Sequence, residues 1–210
     1  MNKIKLILGM LLFGSLWGFS EVILGPIIGN GAILTGVFAL SFLFLSRMIF
    51  RLRGMQLGMG LIAGLLKIFD PIGGTCMICS GIAIAAEAAI FEIIFYKIEN
   101  LDLKNFYSIT LQSSLGIFSA YVIYVGGYVI TQILTPLSQN SFYLTNLFVK
   151  IPGMLSSGLI AAISGAITIP MILQTKKLDI KLKDKLYYPT TIGISALCWI
   201  IIITNFIIFS

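Results

Sequence analysis

Apolar residues in this chain do not alternate with polar ones. They gather into seven long blocks, at about 6–28, 32–50, 55–69, 75–96, 107–134, 152–173 and 189–209. Most approach the ~20 residues with which an α-helix crosses a hydrocarbon core ~30 Å thick, and 55–69 is the short one. The two-residue alternation of a membrane barrel is missing. The pattern therefore predicts an all-α fold, a polytopic transmembrane helical bundle of about seven spans that forms one domain over 1–210. The longest polar connections, 97–106, 135–150 and 174–188, are too short to fold alone.

Composition sharpens that picture. Charged residues are 10% of the 210 and hydrophobic ones 58%, against about 25% charged in ordinary soluble domains, and the mean hydropathy is +1.03. A soluble fold of this size cannot bury so much apolar surface, which excludes a soluble globular enzyme. The chain has no histidine, and so lacks the usual zinc ligands, haem axial histidine and Ser-His-Asp triad. No G-x-x-x-x-G-K-[ST] loop is present, so ATP is not bound by the usual route.

The net charge of +6 is explained by orientation. With the N-terminus inside, twelve of the fourteen basic residues fall on the cytoplasmic side, among them the group Arg47, Arg51 and Arg53 in one loop. Only Lys67 and Lys150 fall toward the outside. The positive-inside rule thus predicts an N-in/C-out topology, and nucleic acid is not needed as a partner. Lys3 and Lys5 before the first block suggest a retained signal anchor, longer than a signal-peptide core. A plasma membrane of prokaryotic type is the expected location, with the lipid bilayer as the first partner.

Ionisable groups within membrane helices are costly, and each is a candidate for function. Glu21, Lys67, Asp70 and Glu87 are the candidate substrate-binding residues, with Glu92 a fifth ionisable group nearer the cytoplasmic edge. Glu21 precedes Gly25-Pro26 in the outer half of the first span. Lys67 and Asp70 close the short third one, ahead of Pro71-Ile72-Gly73-Gly74. Proline and glycine there predict a broken helix pair near 67–80, of the kind that lines solute cavities. The restart near Thr75 would aim free N–H groups at such a space. Lys67 and Asp70, three apart, can equally pair with each other. Glu87 lies in Ala85-Ala86-Glu87-Ala88-Ala89, where its alternative is a buried polar contact between close helices.

Cys76 and Cys79 have C-x-x-C spacing. Buried thiols, an outer disulfide and soft-metal binding beside Met77 all suit them, and no further ligands accompany them. No cofactor is assigned. Gly14/Gly18, Gly54/Gly58 and Gly60/Gly64, with Gly158, Ala162 and Gly165, predict close helix packing. A faint echo links 80–90 with 157–167, as in a parallel duplication, and the two copies differ at Glu87.

A small, very apolar chain without an ATPase, with small-residue helix faces and outer-half polar groups, resembles the substrate-binding S components of energy-coupling-factor (ECF) transporters. Gly14-Ser15-Leu16-Trp17-Gly18 looks like the small-residue docking pattern on their first helix. Leu16-Trp17-Gly18-Phe19-Ser20-Glu21 is similar to the opening of uncharacterised small integral membrane proteins. The resemblance implies a small molecule or ion bound from outside, with a coupling subunit and paired ATPases as partners in trans. The expected cavity lies between the first, third and fourth helices. There Glu21 and Asp70 offer oxygens, Lys67 an anion contact, and Glu87 a deeper gating carboxyl. Two competing readings are a membrane enzyme or redox subunit that uses Cys76 and Cys79, and an assembly subunit whose charges only specify helix pairing.

Overall fold

In the computed structural model, which describes residues 3–27, 31–70, 77–96, 108–134, 144–175 and 184–209, every regular element is helical. Helix α1 (Lys3–Phe19) widens into a π-helical turn (Ser20–Leu24) and closes with a short helical turn, Gly25–Ile27. There follow α2 (Gly31–Phe50), α3 (Met55–Lys67), α4 (Met77–Ile94), α5 (Ile109–Leu134), α6 (Leu144–Thr175) and α7 (Asp184–Phe209). Four stretches are long and apolar enough to cross a membrane: Lys3–Leu24, Ile109–Leu134, Ile151–Leu173 and Leu186–Phe209. Leu34–Phe50 and Met55–Lys67 are shorter apolar helices. The chain is thus an all-helical bundle with the character of a membrane-embedded protein. The Pro/Gly break at 71–74, Thr75 and Cys76 lie outside the described residues.

Helices suit such a sequence because a backbone in lipid must satisfy its own N–H and C=O groups. The hydroxyls obey the same rule by bonding back to their own helices. Ser41 donates to the Val37 carbonyl (2.6 Å), Ser119 to Leu115 (2.7 Å) and Thr168 to Ser164 (2.6 Å). Helix α6 starts well before 152 and runs through both Pro152 and Pro170. Membrane helices tolerate such prolines because neighbouring groups take up the freed carbonyls.

Neighbours pack where side chains are small. The most extensive contact joins α5 to α6, followed by α3 with α4, α1 with α3, α4 with α5, α2 with α6, and α1 with α7. At the α5/α6 crossing Gly116 and Gly165 face each other so closely that a Cβ on either would overlap the other's carbonyl. Gly64 and Gly81 meet likewise, with a Cβ on either only 2.6–2.7 Å from the opposite carbonyl oxygen. Gly14 and Gly18 are buried against Met59, Ile62 and Leu66 of α3. The small-residue stripe of the first helix therefore serves a contact inside the chain.

Between α2, α4 and α5 the core is aromatic. Phe44 meets Phe91 and Phe95 edge-on, with ring centroids 4.9 and 5.2 Å apart, a favoured geometry for such rings. Trp17, Leu43, Met59 and Ile169 belong to the same cluster. The cluster thereby draws on α1 to α6, and a void remains beside this core.

Candidate functional site

The site begins with a fault in the first helix. In an α-helix the Gly25 N–H would bond to the Glu21 carbonyl, but here it bonds to Ser20, one residue further back. That wider register would pair the Glu21 carbonyl with residue 26, a proline that has no N–H. Ser20 adds to the disturbance, since its hydroxyl donates to the Trp17 carbonyl at 2.7 Å. Turns of this π type cluster at functional positions, and this one carries Glu21.

Lys67 supplies what Pro26 lacks. Its Nζ donates to the Glu21 carbonyl at 2.8 Å and lies 2.9 Å from Asp70 Oδ2. Asp70 is 1% exposed. Lys67 and Asp70 thus form the local pair that their spacing allows, and the pair is built into the backbone of the π turn. Neither side chain lines the cavity described next.

Glu21 and Glu87, 66 positions apart in the sequence, line a single cavity of about 230 Å³. Helix α2 contributes Thr35, Gly36, Ala39, Leu40 and Leu43, α5 Ala120, Ile123 and Tyr124, and α6 Ser157, Ile160 and Ala161. The void therefore lies among the first, second, fourth, fifth and sixth helices, and α3 supports it from behind through Lys67. The expected position between the first, third and fourth helices is corrected accordingly. The α3 face is filled instead by the glycine contacts with α1 and α4.

Among the described residues no basic side chain lines the cavity. Among the described residues neither lining carboxyl has an ion-pair partner within 4.0 Å. The Trp17 indole N–H, one turn below Glu21, is directed toward its carboxyl but falls short of hydrogen-bond geometry. Tyr124 faces both Ser157 and the Glu87 carboxyl. Two acids and three hydroxyls thus look into a space otherwise walled by Gly, Ala, Leu and Ile.

A second polar cluster lies at the far end of α2. Arg47, expected in a cytoplasmic loop, is instead in the last turn of α2 and 1% exposed. Its Nη1 donates to the Leu52 carbonyl (3.0 Å), Gln56 Oε1 (3.3 Å) and Glu92 Oε1 (3.2 Å). Its Nη2 donates to the Phe95 carbonyl at 2.8 Å. Gln56 Nε2 extends the network to Ser46 Oγ at 3.2 Å. Glu92 is therefore the counter-charge of Arg47, and the planar guanidinium ties α2, α3 and α4 together. The sequence signal was an acid near the end of α4 at the depth of three arginines. Arg51 and Arg53 are the exposed members of that group.

Cys79 is disulfide-bonded, and Cys198 is a free, buried thiol. Neither lines the cavity. The described residues contain no group of three or more His, Cys, Asp or Glu side chains placed to hold a metal ion. The chain matches no family model, and no curated protein or solved structure is significantly similar to it.

Proposed function

We propose that this chain is an integral membrane protein that binds a small molecule or ion in the Glu21/Glu87 cavity as a step in its transport. The observation that carries the reading is the convergence of two carboxyls, from helices distant in sequence, on one void. Charged groups in a membrane interior are kept where they meet a partner or a substrate, and among the described residues no basic side chain lines this void, since Lys67 reaches the Glu21 carbonyl from behind it. The π turn, braced by Lys67, gives Glu21 a fixed position from which to receive a guest.

In this reading all seven helices span or enter the plasma membrane with the N-terminus inside and the C-terminus outside. The disulfide at Cys79 supports placing that end of α4 on the oxidising, outer side. A role like that of an S component, with a coupling subunit and ATPases in trans, belongs to the same proposal. The Gly14/Gly18 stripe is already occupied by α3, so such a partner would dock elsewhere.

The test is a thermal-stability screen of the detergent-purified protein against a library of small metabolites and metal salts. A guest at a hundred times its Kd stabilises the native state by about 2.7 kcal/mol. At least one compound is expected to stabilise the protein in a saturable way and to lose that effect in both Glu21→Gln and Glu87→Gln. Compounds that stabilise both variants as well as the parent chain would remove the cavity from the function.

A further inference from the structure

We infer that the guest of this cavity is a small organic monocation, an ammonium group on a compact apolar body. This rests on the reading of the cavity as a solute site and goes beyond it by fixing the chemical class. Charge is the first argument. Among the described residues Lys67 is the cation beside Glu21, and its Nζ is engaged by Asp70 at 2.9 Å and by the Glu21 carbonyl. Glu21 and Glu87 face a void in whose walls no described residue is basic. A carboxyl in such a place ionises only beside an opposite charge and otherwise keeps its proton; a cationic guest supplies that charge, whereas an anionic guest would meet repulsion from any ionised carboxylate.

The walls decide between kinds of cation. Divalent ions of the calcium class take six to eight oxygen ligands, largely carboxylates, and the described residues offer no cluster of three or more acids or other metal-binding side chains. An ammonium asks for less. It has a few N–H donors to place, and Glu21, Glu87 and the hydroxyls of Thr35, Tyr124 and Ser157 are acceptors within the same space. The remaining wall, Leu40, Leu43 and Ile123 among others, is apolar and serves no purpose for a bare ion. It suits a hydrocarbon body, the usual division of labour in small-molecule sites. A volume of about 230 Å³ excludes anything as large as a nucleotide.

The experiment uses three probes of one shape and different charge, cyclohexylammonium, cyclohexanecarboxylate and cyclohexanol, beside sodium and magnesium chloride. Each is titrated against the purified full-length protein, with thermal stability as the readout. Cyclohexylammonium alone is expected to give saturable stabilisation. Its apparent Kd should weaken roughly ten- to a hundredfold in Glu21→Gln or Glu87→Gln, the loss of one charge-assisted hydrogen bond. Leu43→Trp, which fills the void and leaves both carboxyls in place, should abolish binding and keep the inference testable if a Gln variant fails to fold.

Saturable binding of the carboxylate or the alcohol that Leu43→Trp abolishes would overturn the charge class while leaving the cavity as the solute site. Saturable binding of sodium or magnesium that both Gln variants abolish would assign a metal ion instead. Failure of all five probes would overturn the inference. The broader reading falls only if the metabolite library fails as well.

Discussion

Replacing Arg47 by methionine keeps an unbranched chain of similar length and removes only the guanidinium. Among the described residues four acceptors then lose a donor: the carbonyls of Leu52 and Phe95, Gln56 Oε1 and Glu92 Oε1. Leu52 is exposed and its carbonyl can turn to water, while Gln56 and Phe95 are fully buried or nearly so. Glu92 suffers most, since it keeps a charge that is mostly buried, with 11% of its side chain exposed. Removing one partner of a buried ion pair costs about 3–5 kcal/mol, and Arg47→Met is expected to fall in that range. Glu92→Gln should cost less, about 1–2 kcal/mol, because the amide oxygen can still accept from Nη1 and the other three acceptors remain. In the double variant Arg47→Met/Glu92→Met no charge is stranded, so its cost should be smaller than the sum of the single losses by about 1–3 kcal/mol. Reversible unfolding in mixed micelles, read through Trp17 and Trp199 fluorescence, measures all of these, and Arg51→Gln at an exposed position is the control, expected within about 0.5 kcal/mol of the parent. A loss under 1 kcal/mol for Arg47→Met, or strict additivity in the double variant, would refute the assignment of this cluster as a buried fastening.

Two further outcomes follow from the packing and from the π turn. Gly165→Val should destabilise the bundle by about 1–3 kcal/mol or more through overpacking against the Gly116 carbonyl, whereas Gly153→Ala, with nothing near its Cβ position, should be neutral in the same melting assay. Lys67→Met removes the donor to the Glu21 carbonyl and the ion-pair partner of Asp70, so it should cost about 2–4 kcal/mol and weaken cavity binding without altering a lining residue; unchanged solute affinity in this variant would show that Glu21 needs no such brace.

The helices were legible because lipid imposes a pattern stronger than local propensity, and every apolar block became one. The ends were less legible, as α6 shows, since Pro152 reads as a start in water and is tolerated mid-helix in an apolar setting. Glu21 and Glu87 stood out through the cost of acids among apolar neighbours, and the structure places both on one cavity. The Lys67–Asp70 pair was visible in its spacing, but its hold on the Glu21 carbonyl depends on how α3 lies against α1. Arg47 and Arg51 look alike in sequence, and only the packing of α4 against α2 separates the buried one from the exposed one. Thr35 and Ser157 gave no signal, because hydroxyls are common in apolar helices and are usually satisfied by their own backbone.

Helix α7 stands apart from the rest. It leans on α1 through Trp199 and Ser15, 3.0 Å apart, and through Tyr187, whose hydroxyl reaches the Lys5 carbonyl at 3.1 Å. Only 17% of its apolar window is covered by the other helices, and it gives the cavity no wall. Its one buried stripe nevertheless seats Ile202 against Val22 and Leu66, the neighbours of Glu21 and Lys67 in the sequence. Most of this rod can therefore vary with its surroundings, while that single stripe backs the π turn from outside.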